Sequence, residues 1–228
     1  MSEYNYSDAM EGVLVTTSTE PDLLNWLQQY THEKTLLLLS GGSTAEVAIK
    51  TIQQLPVEHQ QNLTISLTDE RFVDYGNSDS NWQLLINQGL PLNNLKTLPV
   101  LLVEDADIKT TEMVWAEGMQ TALRQSTHVL AIFGIGADSH IAGLKPHSPL
   151  LRETQMITGS YSADDWQRVT ITPAFFSHIQ SAVIYAKGDE KREAITLLKD
   201  DLNIDTYPDQ LIKQTQDFKI YYQTGGNV

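Results

Sequence analysis

The chain has 228 residues, 41% of them hydrophobic and 19% charged, with a formal charge of −14 and no cysteine. That balance sustains an ordinary globular core, excludes disulfides, thiolate metal sites and cysteine nucleophiles, and weighs against general affinity for nucleic acid or an anionic membrane surface. No apolar run approaches the roughly 20 residues of a membrane helix, and the opening residues Met1 to Asp8 are acidic and polar. A cytoplasmic protein with no membrane or nucleic-acid partner is expected, a small anionic ligand remaining allowed.

In chain order, Leu36-Leu37-Leu38-Leu39 is a short strand stopped by Ser40-Gly41-Gly42. The next segment sets Val47, Ala48, Thr51, Ile52 and Leu55 on one helical face. Leu63 to Leu67 reads as the following strand, ending at Thr68-Asp69-Glu70-Arg71. Ser80 is placed to cap a helix through Trp82, Leu84, Leu85 and Ile86 that Gly89 stops. Residues 111–124 form a helix leading into the apolar strand Val129 to Phe133, whose lack of alternation suits a parallel strand covered on both faces. A loop is expected over roughly 145–167, then a short extended Val169-Thr170-Ile171, a strand at Val183 to Ala186 and a helix from Asp189 to Leu198. A short helix around Asp209 to Gln214 and a strand at Phe218 to Tyr222 complete the chain. Alternating strands and helices predict an α/β fold: one domain over 1–228, a three-layer α/β/α sandwich with a mainly parallel, Rossmann-like sheet.

The chemistry-bearing residues sit where such strands end. Gly134-Ile135-Gly136-Ala137-Asp138-Ser139-His140 follows a buried strand, which projects Asp138 and His140 into the crevice where open α/β sheets bind ligands. A histidine there suits acid–base work near neutral pH; a turn histidine bonded to its own loop is the alternative. Gly41, Gly42, Ser43 and Thr44 stand at a strand-to-helix junction, where free N–H groups and the helix dipole hold a phosphate, or where Ser43 or Thr44 simply caps the helix. The spacing is neither a P-loop nor a dinucleotide fingerprint. Arg71 is placed to clamp a carboxylate or phosphate, or else to pair with its acidic neighbours, and Arg168 and Lys191 are further cations near element ends.

Taken together, Leu38 to Thr44, Asp69 to Val73 with Ser80-Asn81, Gly134 to His140, Arg168-Val169-Thr170, and Gly188 with Lys191 resemble, in order, the blocks of the 6-phosphogluconolactonase and glucosamine-6-phosphate isomerase/deaminase family. The resemblance runs from about 36 to 195 and is loose at both ends. Asp69-Glu70-Arg71 and Ser80-Asn81 look like the lactonase branch, whose members open 6-phosphogluconolactone in the oxidative pentose phosphate pathway. The resemblance implies that His140 is the general base, with Asp138 orienting it and Asp69 shaping the site. It implies further that Gly41 to Thr44, Arg71, Arg168 and Lys191 hold the phosphosugar, and that no metal or redox cofactor takes part. Three positions depart from the family. Ser139 stands where glycine is common and matters if that backbone needs a positive φ. Lys145 stands where the lactonases often carry an aromatic residue and the deaminases an acidic one, and His147 where glycine is usual. The alternatives are a phosphosugar isomerase or deaminase, in which Asp69 moves a proton between carbons, and a non-catalytic phosphosugar sensor. A monomer or small homo-oligomer is expected.

Overall fold

The structure, a computed structural model, describes residues 15–16, 20–164 and 166–223; the acidic N-terminal segment lies outside the described residues. Seven strands form one parallel sheet: β1 (Val15–Thr16), β2 (Thr35–Leu39), β3 (Leu63–Leu67), β5 (Lys96–Leu98), β6 (His128–Phe133), β9 (Ser181–Lys187) and β10 (Asp217–Gln223), in the order β1-β10-β9-β6-β2-β3-β5. The tetraleucine of β2 is buried throughout between β3 and β6, as a central parallel strand covered on both faces must be.

The helices follow from the direction of travel across the sheet. From β1 to β2, and on through β3 to β5, the chain moves one way; from β5 through β6 and β9 to β10 it returns. Right-handed crossovers therefore put α1 (Glu20–Gln28), α2 (Ser43–Gln54), the single turn α3 (Val57–Gln60) and α4 (Asn81–Asn87) on one face. They put α5 (Ile108–Gln125), α6 (Pro173–Phe176) and α7 (Arg192–Leu197) on the other. The reversal falls between the neighbours β2 and β6, and connections leaving that point on opposite faces open a crevice at the carboxyl edge of the sheet.

Two expectations need correction. Asp69–Arg71 does not merely end β3: it forms β4, which turns out of the main sheet and pairs antiparallel with β8 (Trp166–Ile171). The span 145–167 is no plain loop either. It holds a 3-10 turn at Pro149–Arg152, all of β7 (Thr158–Ala163) and the first residues of β8, and β7, β8 and β4 make a second, three-stranded sheet. Thr158-Gly-Ser-Tyr-Ser-Ala carries no apolar alternation because β7 is an edge strand whose second half is only partly buried. The tail forms a 3-10 helix at Pro208–Gln214, followed by β10.

Candidate active site

Four connections converge on the crevice, those after β2, β3, β6 and β9, and they bound a cavity of about 340 Å³. Gly41, Gly42, Ser43, Thr44, Asp69, Arg71, His140, Arg168 and Lys191 all line it, with Asn81, Ala142, Gly143 and Lys145 added by the structure. Asp138 lies outside the lining, behind His140.

After β2 the chain turns through Gly42 at φ 69° into α2, and Gly42 itself is the N-cap, without a side-chain hydrogen bond. Neither Ser43 nor Thr44 caps the helix. The first N–H groups of α2 are thus left open to a ligand, the arrangement that favours an anion. Gly41 is fixed by a close approach, since a Cβ there would lie 2.3 Å from the Asn81 side-chain oxygen.

Asn81 is held in turn by a buried carboxylate. Glu70, fully buried, accepts from the backbone N–H groups of Arg71 (2.8 Å), Asn81 (2.6 Å) and Trp82 (2.9 Å) and from the Ser80 hydroxyl (2.8 Å). Burial pushes this carboxyl up, although all four donors oppose the shift. The Asn81 amide then donates to the Asp69 carbonyl at 2.9 Å. The Asp-Glu-Arg triplet therefore divides its labour: Glu70 anchors α4 from beneath while Asp69 and Arg71, of opposite parity on the strand, face the cavity.

Arg71 and Arg168 stand directly opposite each other on β4 and β8. Like charges so placed are destabilising unless something holds them. Asp69 lies 3.5 Å from the Arg168 guanidinium, and Arg71 sits over the Trp166 ring, 5.2 Å from its centroid, donating to the Asp79 carbonyl at 3.2 Å. Arg71 thus avoids both acidic neighbours of its own triplet. Asp69 is buried, and burial raises its carboxyl against the charges of Arg168, His140 and Arg71 and the hydrogen bond from Thr68. Lys191 forms no ion pair among the described residues.

After β6 the backbone folds into a tight turn in which Gly136 N–H donates to the His140 carbonyl at 2.9 Å. His140 Nδ1 lies 2.6 Å from Asp138 Oδ1. A Cβ on Gly136 would fall 2.0 Å from that Nδ1 and 2.3 Å from Asp138 Oδ1, so glycine makes room for the pair. A carboxylate only accepts, which assigns the proton to Nδ1 and leaves the Nε2 lone pair to the cavity. Partial burial alone would raise the Asp138 carboxyl, but His140 and Lys145 outweigh it and hold the group below its ordinary value.

The departures from the family pattern have structural meaning. Ser139 and His147 both adopt the left-handed backbone, at φ 63° and 62°, that glycine takes without strain. Lys145 lines the cavity, with Nζ 2.6 Å from Asp164 and 3.9 Å from Asp138. Tyr161 fastens the same stretch to β7, donating to the Gly143 carbonyl at 2.6 Å and accepting from the Lys145 N–H at 3.2 Å. Of the lining residues beyond the expected set, Lys145 and Asn81 carried a sequence signal in the family blocks. Behind the lining, Tyr161 and Trp166 carried none, because each meets its partner only once the second sheet forms, and Glu70, though part of the Asp69-Glu70-Arg71 block, gave no sign of its anchoring role.

A doubly wound sheet whose switch point joins an uncapped helix start, opposed cations and a carboxylate-held histidine defines an α/β protein built to take a small anionic ligand to an acid–base group. The model of the family of glucosamine-6-phosphate isomerases/6-phosphogluconolactonase matches residues 15–221, and the chain belongs to that family. It is 27% identical over 168 residues to a 6-phosphogluconolactonase of Synechocystis, a match covering 70% of this chain and 69% of that protein. It is likewise 27% identical over 175 residues to the human GDH/6PGL endoplasmic bifunctional protein, covering 71% of this chain but only 22% of that one. In fold it superposes on a 6-phosphogluconolactonase from Trypanosoma cruzi with a TM-score of 0.74 at 16% identity, covering 95% of each chain.

Proposed function

We propose that this chain, acting as a single domain, hydrolyses 6-phospho-D-glucono-1,5-lactone to 6-phospho-D-gluconate in the oxidative pentose phosphate pathway, with His140 as general base. The observation that carries the reading is His140, held by Asp138 at 2.6 Å, on the wall of a cavity that cations and a helix start also line. Relatives carrying the lactonase name support the choice of substrate.

His140 Nε2 takes a proton from water as the water oxygen bonds to the lactone carbonyl carbon, and the carbonyl electron pair moves onto its oxygen. Collapse of this tetrahedral species breaks the bond to the ring oxygen, which receives the proton back from the imidazolium. Asp138 keeps the ring oriented and stabilises its cationic form. The N–H groups at Gly42 to Thr44, with Arg71, Arg168 and Lys191, hold the phosphate and the charge that develops on the carbonyl oxygen. Asp69 shapes the floor and pins Arg168. The substrate is a free small molecule met in the cytoplasm, without a nucleic-acid or membrane partner, by a monomer or small homo-oligomer.

The deaminase alternative calls for an acidic residue where Lys145 is ion-paired with Asp164. Purified protein is expected to speed lactone decay above the spontaneous rate and to release no ammonia from glucosamine 6-phosphate. His140→Ala, still folded, is expected to lose about 10²- to 10⁴-fold of the enzyme-dependent rate. Binding of 6-phosphogluconate without turnover would instead identify a sensor, and sustained ammonia release a deaminase.

A further inference from the structure

Asp209, in the 3-10 helix before β10, is fully buried, and neither of its carboxyl oxygens has a hydrogen-bond partner among the described residues. Sealing a carboxyl from water without partners is costly, and the hydrolysis above makes no use of this one. What it abuts is the catalytic turn. Its backbone N–H donates to the Ser139 carbonyl at 2.9 Å, and the side chain acting on its carboxyl is the Ser139 hydroxyl, which stops short of hydrogen-bond geometry. Ser139 is itself buried, at φ 63°, a conformation unfavourable to any residue with a Cβ. It stands between Asp138 and His140, so its backbone angles decide whether those two side chains meet.

We propose that Asp209 is a positioning residue for the hydrolysis: its carboxyl group receives the Ser139 side chain and holds residue 139 left-handed, doing for this turn what a glycine does without help. The inference rests on the assignment of His140 as base. The charged groups acting on Asp209 are Lys213, from its own helix, and Asp138, from the turn. Burial dominates them and keeps the carboxyl pushed up to about 7. In its neutral form the group becomes a donor, which the Ser139 oxygen can accept.

The test is a cycle of Ser139→Gly and Asp209→Ala, with Asp209→Asn as the conservative variant. In the parent background Asp209→Ala is expected to lower kcat about ten- to a hundredfold with KM little changed, because the phosphate cradle is untouched and only the base is misplaced. Asp209→Asn, which can still donate to Ser139, is expected to retain most of kcat. In the Ser139→Gly background Asp209→Ala is expected to cost little, since glycine takes the turn unaided. Equal losses in the two backgrounds, or no loss in either, would overturn the proposal. Asp209→Val, which fills the same space, replaces the alanine variant should that fail to fold. Amide exchange at residues 139–141 provides a readout that needs no turnover: faster exchange in Asp209→Ala, restored by Ser139→Gly, supports the positioning role even if the parent opens no lactone. Unchanged exchange would reject that role while leaving a measured lactonase activity standing.

Discussion

One carboxylate decides which nitrogen of His140 meets the cavity, and one lysine shares that carboxylate. Lys145 is placed to matter electrostatically: it lines the cavity and reaches both Asp164 and Asp138. A cation there favours the neutral imidazole that a base must be, and an anion favours the imidazolium. Lys145→Glu is therefore expected to move the limb of the lactonase profile on which rate rises with pH to higher pH; an unmoved limb would show that Lys145 has no charge effect on His140. Removing cations from the cradle acts on binding instead. Arg168→Ala and Lys191→Ala are each expected to weaken 6-phosphogluconate by about 1.5–3 kcal/mol, measured by calorimetry, with little effect on gluconate. At this scale the glycine turns, Asp138 and His140 were legible because local chain geometry places them. The roles of Glu70 and Asp209 were not, because a buried carboxylate is recognised by what surrounds it, and those surroundings form only when β4 meets α4 and the 3-10 helix meets the turn at Ser139.

Among elements, the strands that announced themselves most plainly are the ones with water on neither face. Leu36 to Leu39, Val129 to Phe133 and Val183 to Ala186 are continuous apolar runs and belong to central strands. The edge strand β5, Lys96-Thr97-Leu98, and the half-exposed β7 lack that pattern and were missed. The same limit hid the second sheet, whose pairing sets Arg71 beside Arg168 on adjacent strands. The helix α4 is legible at its Ser80 cap but not in its deeper anchor. Glu70 satisfies the first two N–H groups of α4 as well as the Ser80 hydroxyl, so it binds β4 to α4 and Asn81 to the cavity wall. Glu70→Gln exchanges one acceptor oxygen for an NH₂ group that cannot accept. It is expected to cost about 2–3 kcal/mol in denaturant unfolding and to raise KM through Asn81. Wild-type stability in that variant would show that the four donors find water instead.

For the molecule as a whole, a formal charge of −14 surrounds a cavity lined by Arg71, Lys145, Arg168 and Lys191, so the cations of the proposed phosphate site are a local feature set against the net field. The same excess of acidic groups makes stability depend on pH, and Asp209 makes one contribution whose sign follows from its burial. Burial lifts its folded-state value from 3.8 to about 7, so the folded protein binds this proton more tightly than the unfolded chain does. Stability from this group is fully present below about pH 4, falls as pH rises between those two values, and is wholly lost above about 7. A shift of that size corresponds to about 4 kcal/mol as an upper figure. Asp209→Asn keeps the shape and a donor for Ser139 but removes the ionisation. Its stability curve should therefore run close to the parent's below pH 4 and rise above it progressively toward pH 8, measured by urea unfolding across that range. A constant difference between the two curves would mean that Asp209 is charged in the folded protein throughout, with a partner supplied by water, and that the catalytic turn is not supported by a neutral carboxyl.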